Sequence, residues 1–167
     1  MDHSAHAGHR PHPAHAGHGH ATAPSLDRIA FLATLHCLAG CAVGEVAGMV
    51  IGTAMGLSNG ETIALAVALA FMSGYAFTMV PLLRAGYAFK AASALALAAD
   101  TASIAVMEIV DNLVMLAIPG AMDAPLSSAL FWASLAAALA IAGVAAFPVN
   151  RWLIARGRGH AVVHAHH

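Results

Sequence analysis

Four long apolar stretches constrain the fold of this chain more than any other feature of its sequence. They span about residues 28–56, 62–83, 88–118 and 129–153. Each has at least 20 residues, enough for an α-helix to cross a hydrocarbon core of about 30 Å. Segments containing Gly, Pro, Ser or Asn separate them, as is typical of turns. The sequence therefore predicts an all-α integral membrane protein with four transmembrane helices, forming one domain over residues 27–156.

The composition excludes several other classes of protein. Only 9% of the residues are Asp, Glu, Lys or Arg, whereas soluble domains have about 25%. This argues against a soluble enzyme and against a basic protein that binds nucleic acid. The sequence has no hydroxyl nucleophile paired with a base and no cofactor fingerprint, so we expect no enzymatic activity. The predicted surroundings are a lipid bilayer.

The basic residues predict how the helices are oriented. All seven Lys and Arg residues lie at or before the start of the first stretch, between the end of the second and the start of the third, or at and beyond the end of the fourth. Positive charge is enriched on the cytoplasmic side of membrane proteins. We therefore expect a multi-pass protein of the bacterial inner membrane with both termini in the cytoplasm.

Half of the eight acidic residues lie inside the apolar stretches, at Glu45, Asp100, Glu108 and Asp111. A charged residue at mid-membrane costs roughly 2.5–3.5 kcal/mol on insertion scales. Within the stretches only His36 could supply a positive charge away from the ends. The sequence therefore predicts that protons, a bound cation or a partner subunit balance these acids.

The first stretch carries residues suited to a metal site. Cys37, Cys41 and Glu45 follow one another at intervals of four residues, which places them on one face of a helix. His36 flanks that face, and Met49 continues it by one turn. Thiol, thioether and imidazole groups suit copper and zinc, so these five residues are the predicted metal ligands. A buried cysteine can also be an inert apolar residue, and that interpretation stays open.

The third stretch carries a second series of polar and sulfur-containing residues. On a helix, several of them share one face. We interpret the series as an ion or proton path, because intramembrane acids usually mark such paths. A ladder of protonated, hydrogen-bonded carboxyls is the alternative. The predicted path comprises Asp100, Met107, Glu108, Asp111, Asn112 and Met115.

The two polar faces correspond to each other. Cys37, Cys41, Glu45, Gly48 and Gly52 match residues 100, 104, 108, 111 and 115, each with an offset of 63. Both following stretches end in Pro-x-x-Arg. The pattern favours two parallel helix-hairpin repeats that bring the acid of the first copy opposite that of the second. A glycine at every fourth residue from 40 to 56 indicates close contact with another helix, in this chain or in a homodimer.

Histidines cluster at both ends of the chain. The segments 1–26 and 157–167 are predicted to be tails outside the membrane, the first of them disordered. Imidazoles spaced by two or three residues can bind several transition metals weakly. A solvated, pH-responsive tail is the alternative to metal buffering. The tail histidines are His3, His6, His9, His12, His15, His18, His20, His160, His164, His166 and His167.

Three segments resemble a bacterial membrane family, the domain of unknown function 4396. They are His-Cys-Leu-Ala-Gly-Cys-Ala-Val-Gly-Glu at residues 36–45, the run from Asp100 through Asn112, and Phe-Pro-Val-Asn-Arg-Trp at residues 147–152. The resemblance covers about residues 30–160. It implies a bacterial four-helix membrane protein and no particular activity. The chain is also loosely similar to small heavy-metal transporters, although it lacks an adjacent Cys-Cys pair.

Together these features favour binding or transport of a soft or borderline transition-metal ion, copper or zinc first. A metal chaperone or a larger membrane complex is an expected partner. One alternative is a proton- or cation-coupled secondary transporter that uses the acids alone. Another is a non-transporting structural subunit of a membrane complex whose acids meet Lys or Arg from a partner.

Overall fold

A computed structural model of the protein describes residues 24–156. Within this range the chain forms four helices and no strand: α1 (Leu26–Met55), α2 (Asn59–Arg84), α3 (Phe89–Ala117) and α4 (Ala129–Ala155). All four are long and apolar enough to cross a membrane. The prediction of an all-α protein with four transmembrane helices is therefore confirmed. The orientation of the termini stays a prediction.

Local sequence determines where the helices begin and end. Ser25, Ser58 and Ser128 are N-caps whose side chains accept hydrogen bonds from backbone N–H groups in the first turn. At α2 the cap is a reciprocal capping box, because Glu61 also accepts from the backbone of Ser58. α1 ends at Gly56, which has a φ of 67°, a conformation that glycine adopts without a steric penalty.

The helices form an antiparallel bundle. α1 packs against α2 and α4, α3 packs against the same two helices, and α1 also contacts α3 across the bundle. Residues 56–58 and 118–128 connect the helices at one end, which we name the loop end. Residues 85–88 and both ends of the described chain lie at the opposite, terminal end. The surface between the two ends is largely apolar, as lipid contact requires.

The glycine face of α1 packs within the chain, against α2. A Cβ atom at Gly44 would overlap the backbone of Leu69, and one at Gly48 would overlap the backbone of Ala66. At Gly52 it would lie 2.6 Å from the Thr62 hydroxyl. Small residues thus let the two helices approach closely. Gly56 does not belong to this face, because a Cβ there would meet nothing within 4 Å.

Burial supports the correspondence between α1 and α3. Of the eleven buried residues of α1, eight have a buried counterpart 63 positions later. α1 and α3 also begin 63 residues apart. These two helices therefore present the same pattern of residues to the bundle interior. The pairs are Ala33/Ala96, Cys37/Asp100, Gly40/Ser103, Cys41/Ile104, Gly44/Met107, Glu45/Glu108, Gly48/Asp111 and Gly52/Met115.

Polar contacts at the terminal end hold α1 against α4. The Asn150 amide donates a buried hydrogen bond of 2.9 Å to the Thr34 hydroxyl. The Arg151 guanidinium lies 2.6 Å from the Asp27 carboxylate, with both side chains at least half exposed. The buried pair contributes more to stability, because an exposed ion pair is worth about 0–1 kcal/mol.

Candidate functional site

Three carboxyl groups from α1 and α3 meet inside the bundle, and we name them the acid cluster: Glu45, Glu108 and Asp111. Their side chains are 1%, 5% and 1% exposed. Glu45 and Asp111 face each other across the bundle, and Glu108 lies within electrostatic range of both. The sequence predicted that Glu45 and Glu108 face each other; in the structure the group that faces Glu45 is Asp111, one turn further along α3.

Five carboxyl oxygens of the acid cluster receive no hydrogen bond from a donor group of the described residues. Both oxygens of Glu45, both of Asp111 and Oε2 of Glu108 are buried without one. Glu45 and Asp111 are side-chain hydrogen-bonding neighbours, so one shared proton would join their two carboxyls. Buried polar groups in folded proteins are nearly always hydrogen-bonded. Five buried carboxyl oxygens that receive no hydrogen bond from a donor group therefore mark a site that a proton, a cation or water would complete.

No Lys or Arg side chain of the described residues lies near enough to the bundle interior to neutralise the acid cluster. All five Lys and Arg residues of the described chain are exposed: Arg28, Arg84, Lys90, Arg151 and Arg156. They lie within four residues of a helix end. The Lys and Arg residues within 24–156 therefore do not balance the cluster.

The two thiols adjoin the acid cluster. Cys37 and Cys41 are free, and they are 4% and 1% exposed. Cys41 interacts with Cys37, and it lies within electrostatic range of Glu45 and Glu108. Met107 belongs to the same core cluster as both cysteines. The expected common face of Cys37, Cys41 and Glu45 is therefore present, and Cys41 is its link to the acids.

The other two predicted metal ligands lie apart. His36 is half-buried, and its ring packs edge-on against Phe77 of α2 with a centroid distance of 5.8 Å. Met49 is buried in a second core cluster together with Met115, closer to the loop end. Among residues 24–156, no three His, Cys, Asp or Glu side chains are arranged to hold one metal ion.

The remaining residues of the predicted path lie above and below the acid cluster. Asp100 is buried on α3 nearer the terminal end, with the Thr78 hydroxyl of α2 as a hydrogen-bonding neighbour. The Asn112 amide donates to the Glu108 carbonyl oxygen at 2.8 Å, and its own Oδ1 is buried without a partner. The histidines of both tails lie outside the described residues.

Sequence reasoning missed the contribution of α2. Thr78 meets Asp100, and the Ser73 hydroxyl lies 2.7 Å from the Gly40 carbonyl oxygen, joining α2 to α1. The buried residues of α2 recur at every fourth position and are mostly small. That small-residue periodicity is present in the sequence and could have identified the face of α2 that packs closely against its neighbours.

The family model described as Domain of unknown function (DUF4396) matches residues 28–159. The chain belongs to this family. The match spans all four helices, so the family relationship concerns the bundle and its acid cluster. No curated protein and no solved structure matches the chain.

Proposed function

We propose that this protein moves protons or small cations across a membrane, and that the acid cluster is their binding site. The observation that carries this proposal is the burial of Glu45, Glu108 and Asp111 together, with five oxygens that receive no hydrogen bond from a donor group. Acids within membrane helices are costly and typically lie on ion pathways or proton relays. A site built from carboxylates attracts cations and can exchange protons.

Polar residues extend the site along the bundle interior. From the terminal end these are Thr34 with Asn150, then Asp100 with Thr78, then Ser103, which is fully buried with its hydroxyl unpartnered. Cys41 follows, and the acid cluster comes next. This column supplies groups that could pass a proton or coordinate a cation at successive depths. The proposed setting is the bacterial inner membrane with both termini in the cytoplasm.

The proposal is tested by flux measurements on the full-length protein in liposomes. An internal pH dye and a panel of ions comprising Na⁺, K⁺, Zn²⁺ and Cu(I) would report which species moves. We expect Glu45→Gln, Glu108→Gln and Asp111→Asn each to lower the rate by about a hundredfold, the scale expected when a proton-transferring group is lost.

Asp27→Asn is the matched control, because Asp27 is an exposed acid at the terminal end. It should leave the flux unchanged. Two results would overturn the proposal: wild-type protein that passes neither protons nor any ion of the panel, or amide variants that transport as well as the control.

Binding or transport of a soft transition metal is a second candidate. The observation in its favour is that Cys41 contacts Cys37 within electrostatic range of two acids, with the Met107 thioether in the same cluster. Sulfur ligands suit Cu(I) and zinc. The His-rich tails would then buffer metal, and a metal chaperone would deliver or receive it.

Elemental analysis of full-length protein purified without chelators tests this candidate. The wild type should carry one tightly held metal more than the Cys37→Ser/Cys41→Ser variant, and both proteins have the same histidine tails. Equal metal content in the two proteins would reject the thiol site while leaving the proton and cation proposal standing.

The charge balance also distinguishes transport from a structural role in a larger complex. A structural subunit would have its acids neutralised by Lys or Arg of a partner. It would then co-purify with that partner in a fixed ratio and show no flux alone. A homodimer, with the same site in each copy, stays a prediction that molecular-mass measurement in detergent would check.

A further inference from the structure

The acid cluster lies much closer to the loop end of the bundle than to the terminal end. Asp111 is six residues from the end of α3, and Glu45 is ten residues from the end of α1. At 1.5 Å per residue these distances are about 9 and 15 Å. From the other ends of the same helices the distances are about 33 and 29 Å. The short route to the site therefore runs through the loop end.

The loop end is closed by residues 118–128, which we name the cap segment. Ala121 is 0% exposed. Met122, Ala124 and Leu126 pack onto the core cluster that contains Met49, Met115, Phe131 and Leu135. The connection between α1 and α2 has only three residues, 56–58, and supplies no comparable cover. An apolar layer from the cap segment and its cluster thus separates the acid cluster from solvent at that end.

Few polar contacts hold the cap segment in place. The Asn59 amide at the start of α2 donates to the Asp123 carboxylate at 2.9 Å, and this exposed bond joins the cap to the other hairpin. The Trp132 indole donates to the Leu126 carbonyl at 2.8 Å. At its first turn Gly120 has a φ of 75°. Glycine permits this conformation, and the backbone can change there at little cost.

We propose that the acid cluster exchanges its proton or cation with the compartment at the loop end, through an opening of the cap segment that the Asn59–Asp123 bond restrains. This inference rests on the proposed function, because it names the side and the gate of the same site. The cap excludes water from the site when closed. When it lifts away from Met49 and Met115, the acids become accessible.

Thiol labelling of Cys41 tests the proposal, because Cys41 adjoins the acid cluster and is 1% exposed. The experiment uses the full-length protein in detergent with Cys37→Ser, so that Cys41 is the one reactive thiol. The probe is a cationic methanethiosulfonate, which the acids attract. Asp123→Ala and Asn59→Ala should each raise the labelling rate about fivefold, the effect of losing one ordinary hydrogen bond on an opening equilibrium.

Three further variants make the result specific. The double variant Asn59→Ala/Asp123→Ala should label no faster than either single variant, because each single variant already removes the same bond. Ser127→Ala changes an exposed polar residue of the same segment and should have no effect. Asp27→Ala breaks the exposed ion pair at the terminal end and should have none either.

Labelling rates that are unchanged in Asp123→Ala and Asn59→Ala would overturn the proposed gate. So would an equal acceleration in Asp27→Ala, which would place the route at the terminal end. The labelling does not depend on transport. Faster labelling without any ion flux would support the opening of the cap segment and reject the proposed function. Acid-dependent flux with unchanged labelling would support the proposed function and reject the gate.

Discussion

α1 and α3 present matching burial patterns but different chemistry. Where α1 has Gly40, Gly44, Gly48 and Gly52, α3 has Ser103, Met107, Asp111 and Met115. The glycines of α1 press its backbone against α2. At the same positions α3 places hydroxyl, thioether and carboxyl groups in the interior. The first hairpin, α1 and α2, is therefore closely packed, whereas the second, α3 and α4, supplies most of the buried polar groups.

The comparison explains why the acid cluster has three members rather than two. Glu45 and Glu108 are counterparts in the two helices. Asp111 has a glycine, Gly48, as its counterpart, so the third acid breaks the correspondence. Asp111 is also the group that faces Glu45. We infer that the chemistry of the site depends on this difference between α1 and α3, an acid in place of a glycine.

The largest stability effect is expected where α1 depends on glycine. Gly48→Ala should lower the thermal unfolding midpoint, because its Cβ would overlap the Ala66 backbone. Overpacking of this kind costs about 1–3 kcal/mol, occasionally more. Gly60→Ala is the control, since a Cβ there meets nothing within 4 Å. Equal midpoints for the two variants in detergent would show that α1 and α2 are not in close contact.

A smaller loss is expected from the polar pair between α1 and α4. Thr34→Val removes the acceptor of the Asn150 amide, and a buried group left without a partner costs about 1–3 kcal/mol. The counterpart of Thr34 in α3 is the exposed Leu97, so Leu97→Val should change the midpoint little. An equal drop in the unfolding midpoint for Leu97→Val and Thr34→Val would contradict the assigned role of the Thr34–Asn150 pair.

The smallest stability effect is expected at Asp111. Asp111→Ala removes a buried acid whose oxygens receive no hydrogen bond from a donor group, so the lost packing is offset by the lost cost of burying a polar group. We expect an unchanged or higher unfolding midpoint together with a loss of flux. A marked drop in the midpoint would show instead that Asp111 stabilises the fold, which would weaken its assignment to an ion site.

The sequence predicted the fold well because hydropathy and helix spacing are local properties. The four stretches match the four helices, and the period of four residues correctly grouped Cys37, Cys41 and Glu45 on one buried face. Contacts between helices were harder to predict from the sequence. Sequence spacing did not reveal that Asp111 faces Glu45, that Thr78 of α2 meets Asp100, or that His36 packs on Phe77.

At the loop end, too, the local turn was predictable from the sequence but the contacts between hairpins were not. Pro119, Gly120 and Pro125 predict a turn, as observed. The burial of Ala121 and the bond between Asn59 and Asp123, which are 64 residues apart, depend on how two hairpins pack. Pairing over such a separation cannot be derived from local patterns.

Infrared difference spectroscopy of the full-length protein in liposomes tests the central claim most directly, because protonated buried carboxyls have their own carbonyl band. The account predicts that a pH rise, or addition of Na⁺, K⁺, Zn²⁺ or Cu(I), changes this band in the wild type. The change should be clearly reduced in Glu45→Gln and Asp111→Asn but kept in full in Asp27→Asn. A band that no ion and no pH alters would contradict the claim that the acid cluster binds protons or cations.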